Sequence, residues 1–70
     1  MSRESLEEAV SKLREAAELV ADQAIDCLRS ALSESDPKAS PQAAQEKALT
    51  RARRSIEKAI HLIDGLSVVD

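Results

Sequence analysis

Apolar residues in the first half of the chain return every three or four positions for about eight turns, a spacing that admits little besides a long amphipathic helix. Leu6, Val10, Leu13, Ala17, Val20, Ala24, Leu28 and Ala31 are separated by steps of four, three, four, three, four, four and three. At about 100° per residue they share one side of a helix. Ala9, Ala16 and Cys27 widen that side, while Glu8, Glu15, Glu18, Asp22 and Arg29 lie opposite. Two serines can cap the start. Ser5 with Glu8 forms a capping box, and Ser2 offers a cap one turn earlier.

The segment from Ser33 to Pro41 holds both prolines and no large apolar residue, so it reads as a loop. Ser40 followed by Pro41 supplies an N-cap and a first helical residue for a second helix. The apolar face of that helix is Ala48, Leu49, Ala52, Ile56, Ala59, Ile60, Ile63 and Leu66, with Gly65 placed as a left-handed stop. The expected architecture is therefore one all-α domain over residues 1–70. Helix 1 covers about 3–33, the loop 34–40, helix 2 about 41–64 and a tail 65–70. A short loop requires the helices to be antiparallel, as a hairpin. At about 1.5 Å per residue, helix 1 should overhang helix 2 by about two turns at the end away from the loop, where Val68 and Val69 could fold over it.

Two helices alone give each stripe a single neighbour. The chain has only 70 residues and no Phe, Tyr or Trp, the side chains that most enlarge small cores, although its apolar fraction of 43% is ordinary for a folding protein. The hairpin is expected to complete a helical bundle with a partner or by dimerisation. Leu19, Ile25, Leu32 and Leu62 lie outside the two stripes and suggest a second contact surface.

Charge divides by halves. Residues 1–36 carry nine acids and four bases, residues 37–70 four acids and six bases, for a net charge of −3. Opposite signs favour laying one segment on another, within or between chains. The start of the chain, with three acids and one base in residues 1–8, does not resemble a signal or transit peptide, and no run approaches the roughly 20 apolar residues that span a bilayer. The single cysteine, Cys27, allows no internal disulfide. A cytoplasmic location and no membrane partner are expected.

Chemistry-bearing residues are sparse. His61 lies nearly opposite Ile56 and Ile63, in water. It stands four residues before Gly65, as in histidine phosphotransfer domains, but Asp64 would repel a phosphate. Cys27 falls on the apolar stripe, near Asp22 and Asp26, which oppose thiolate formation, so it reads as core filler. Arg51, Arg53 and Arg54, with Lys47 and Lys58, form a basic patch. With no aromatic residue to stack bases and an acidic chain overall, that patch reads as a solvated face answering acids, and nucleic-acid binding as a minor alternative. No catalytic, cofactor-binding or metal residues and no small-molecule substrate are expected. The chain is not expected to be an enzyme.

The residues Ser5-Leu6-Glu7-Glu8, the Ser40-Pro41 cap and the run from Ala52 through Ile63 resemble the small two-helix co-chaperones of bacterial type III secretion needle proteins. The resemblance implies a cytosolic chaperone subunit that pairs with a larger tetratricopeptide-like chaperone through helix 2. The expected partner-binding residues are Leu49, Ala52, Ile56, Ala59, Ile60, Ile63 and Leu66. The alternative is a homodimeric four-helix bundle with a structural or regulatory role, because two hairpins can close each other's open faces.

Overall fold

Each helix begins on a serine whose hydroxyl satisfies a backbone donor left over at the helix start. In the computed structural model, which describes residues 2–36 and 40–68, α1 spans Arg3–Leu32 and α2 spans Pro41–Val68. Ser2 caps α1, its Oγ accepting the Ser5 N–H at 3.1 Å, so the earlier of the two candidate caps is used and Ser5 lies inside the helix. Ser40 caps α2, accepting the Ala43 N–H at 3.1 Å, and is itself buried. Ser33 closes α1, donating its hydroxyl to the Ser30 carbonyl at 2.7 Å. The loop residues 37–39 and the tail residues Val69 and Asp70 lie outside the described residues.

The two helices pack as an antiparallel hairpin, an all-α rod of 54 × 14 × 13 Å. Its seam follows a seven-residue repeat. Val10, Ala17, Ala24 and Ala31 form one row on α1, and Leu6, Leu13, Val20 and Cys27 the other. This repeat keeps a row facing its partner when helices wrap about each other. On α2 the matching row is Gln42, Leu49, Ile56 and Ile63, all half-buried, with Ile60 beside it. Val10, Ala17, Ala31 and Ile60 are the buried apolar residues, and no large side chain among the described residues is fully enclosed.

Three expectations need correcting. Gly65 does not stop α2. The helix runs through it to Val68, and no described residue has a positive φ. A glycine inside a helix costs only about 1 kcal/mol relative to alanine. No proline follows to force an end, so the Leu66-Ser67-Val68 segment continues the ladder. The two-turn overhang disappears with it, because α1 has 30 residues and α2 has 28. Leu28 also leaves the stripe, 48% exposed. The seven-residue repeat places Cys27 and Ala31 in the seam and turns Leu28 outward, whereas a freely drifting stripe would have kept it.

Candidate interaction surface

The hairpin has two long flanks, one on each side of its seam, and they differ. One flank is grooved. Arg14, Ala17, Glu18, Ala21 and Asp22 of α1 and Arg53, Glu57, Ile60, His61 and Asp64 of α2 line a hollow of about 510 Å³. A smaller hollow of about 180 Å³ continues it toward the loop, bounded by Ala24, Ile25, Leu28, Glu46 and Thr50. The alanines and Ile60 form the floor and the charged residues the rim. Arg14 reaches across to Asp64 at 3.5 Å, and Arg53 Nε lies 3.9 Å from Glu57 along α2. These side chains are about half exposed or more, so each pair contributes only about 0–1 kcal/mol.

At about 100° per residue, Leu62 and Leu66 of α2 and Leu19 of α1 point away from the groove. They belong with the other flank, where small residues stand beside them: Ala52, exposed, and Ala9, Ala16 and Ala59, half-buried. Cys27 is half-buried at the seam, its thiol directed to Gln45 Oε1 at 3.7 Å. His61 is exposed on the groove rim.

The seven residues expected to meet a partner divide between the seam and the surface. Ile60 is only 8% exposed and packs inside the hairpin, and Leu49, Ile56, Ala59 and Ile63 are half-buried along the same seam. Ala52 and Leu66 remain exposed. One stripe therefore serves mainly to hold the two helices together, and its edge is what stays open. Leu19, Ile25, Leu32 and Leu62, which fall outside the stripes in sequence, are exposed as that position implies. With Leu28 and Leu66 they make six large aliphatic side chains between 48% and 67% exposed.

Polarity hid the start of the α2 seam from sequence reasoning. Gln42, Ala43, Glu46 and Thr50 are half-buried although three of them are polar. Thr50 donates to Glu46 Oε1 at 2.9 Å, which pairs the hydroxyl of one half-buried side chain with the carboxylate of the other. Carrying the spacing of Ile63, Ile56 and Leu49 back by seven residues to Gln42 would have found it.

Among the described residues no group of three or more His, Cys, Asp or Glu side chains is placed to hold a metal ion, and no helix is long and apolar enough to cross a membrane. No family model, curated protein or solved structure matches the chain.

Proposed function

We propose that this chain is a non-enzymatic protein-interaction module: a small cytosolic chaperone or adaptor subunit that binds a helical partner. The resemblance of its sequence to the small two-helix co-chaperones of type III secretion suggests that kind of role. The observation that carries the reading is the flank bearing Leu62 and Leu66. Two long aliphatic side chains, 66% and 55% exposed, stand there beside Ala52 and Ala59. Exposed leucines grip a third helix, while the alanines let its backbone come close. Burying one aliphatic side chain stabilises by about 1.5–3 kcal/mol, enough for a few of them to offset association costs.

Ile60 is not the residue to probe, because its loss would open the hairpin itself. The test places photo-crosslinking side chains at Leu66 and, as a control on the opposite flank, at Glu57, and compares adducts in the native host with and without Leu62→Asp. A helical protein captured from Leu66 alone, and lost with Leu62→Asp while circular dichroism stays unchanged, is the expected result. Equal capture from both positions, or capture indifferent to Leu62→Asp, would overturn this assignment of the face.

A further inference from the structure

On the ungrooved flank, six positions of α2 return at steps of four, three, four, three and four: Ala48, Ala52, Ser55, Ala59, Leu62 and Leu66. At 100° per residue they share an arc of about 80°. All are exposed except the half-buried Ala59. The chain is 33% charged, yet this row carries no charge. Its spacing reads the same in both directions, while its side chains are small toward the loop and large at the other end. Turned end for end about a point between Ser55 and Ala59, the row therefore fits itself. Leu62 falls on Ala52, Leu66 on Ala48 and Ala59 on Ser55, each leucine facing the gap left by an alanine. Laid on itself in the same direction, it would set leucine on leucine at one end and leave a void at the other.

The same turn also suits α1. In the hairpin Arg14 is level with Asp64 and Cys27 with Gln45, so the point between Ser55 and Ala59 is level with the stretch holding Ala16 and Leu19. Exposed Leu19 then falls on the half-buried Ala16 of the other copy. Lys12 comes within about a turn of the other copy's Asp26. Along their own helix these two charges have only loose partners, Glu15 and Arg29, each at 4.0 Å.

Building on the reading of this flank as an interaction surface, we propose that the helical partner it docks is a second copy of this chain, with α2 on α2, α1 on α1 and the two loops at opposite ends. The two-fold axis crosses the rod at right angles, so every contact is made twice. Setting both loops at one end would instead lay α1 of each copy on α2 of the other. Lys12 and Asp26 would then press on the uncharged row, at the level of Leu62 and Leu66 and of Ala48 and Ala52, and lose water without gaining a partner. Lys58, exposed at the outer edge of the row, does come near its own copy across the axis, a repulsion that water and salt screen. The area is sufficient. The chain exposes 5402 Å², whereas a compact monomer of its 7.6 kDa exposes about 4,300 Å². By the same scaling two merged copies would bury about 3,700 Å² between them, within the roughly 2,000–5,000 Å² of obligate dimers.

Sedimentation equilibrium of the full chain at micromolar concentrations should give twice 7.6 kDa. Ala52→Leu and Leu62→Ala change exposed side chains and leave the hairpin folded. Each alone should weaken the dimer on the order of tenfold, by a clash or by a gap, and the two together should restore it because knob and hole have changed places. A spin label on Ser33→Cys in a Cys27→Ser background should report loops further apart than half the 54 Å rod. A dimer in which the two substitutions do not compensate, or whose loops lie together, would overturn the proposal. A folded monomer that binds an apolar dye, with the dye lost on Leu62→Asp, would overturn the second copy alone and leave the interaction surface standing. A folded monomer that binds no dye would overturn both.

Discussion

The two ends of this rod are built from the same repeat and filled with different materials. Away from the loop the seam is aliphatic: Leu6, Val10, Leu13 and Val20 of α1 and Ile56, Ile60 and Ile63 of α2 are all buried or half-buried there. Beside the loop, Ala24, Cys27 and Ala31 face Gln42, Gln45, Glu46 and Thr50, and the large aliphatics of that stretch, Ile25, Leu28 and Leu32, are turned outward. Both ends expose large aliphatics, Leu62 and Leu66 at the far end among them, but only the far end also has a seam filled with them. Area removed from water is what stabilises a packed seam, so the far end carries most of the hairpin's own stability and the loop end depends on caps and small-residue packing.

The sharpest way to break this contrast is Ile60→Ala. Deleting a buried isoleucine from the aliphatic end should cost about 2–3 kcal/mol, and thermal unfolding followed by circular dichroism should show most of the helix lost together. An equally large loss from an alanine at a loop-end position such as Leu28, already half exposed, would erase the distinction. Ala31→Leu probes the other end. Ala31 is only 2% exposed, and the added bulk should cost about 1–3 kcal/mol by forcing the helices apart. A neutral result in the same melt would mean that the loop end is loosely packed.

Gln42→Leu should turn the loop end toward the character of the far end. The Oε1 of Gln42 is buried without a hydrogen-bond partner among the described residues, and replacing the amide with an aliphatic group should raise stability by about 1 kcal/mol in chemical denaturation. The smallest change is Gly65→Ala, at the far end. The glycine sits in continuous helix, and a β-carbon there would meet nothing within 4 Å. Stability should rise by about 0.5–1 kcal/mol, the sign opposite to that for a left-handed glycine, and the same denaturation measurement reads it.

The repeat of apolar residues, the proline-bearing loop and the Ser40-Pro41 start were enough to write the all-α hairpin from the sequence, because helical periodicity and capping are local properties of a chain. The seam residues were legible wherever they are aliphatic. They were hidden at Gln42, Glu46 and Thr50, where position in the repeat outranks polarity and a hydrogen bond between Thr50 and Glu46 makes burial tolerable. The candidate surface was legible only as a surplus: Leu19, Ile25, Leu32 and Leu62 stood outside the stripes, with nothing to sort them into flanks.

What the sequence by itself determined is that there are two helices, that the second begins at Ser40-Pro41, and that they carry more aliphatic surface than a single seam can cover. Only the tertiary structure decided how that surface is divided. It drew Ile60 into the seam, left Ala52 and Leu66 outside, turned Leu28 out and carried α2 through Gly65. The reason is physical: a residue's place on its own helix is set by the turn angle, but which part of a broad stripe is buried depends on the line along which the second helix lies.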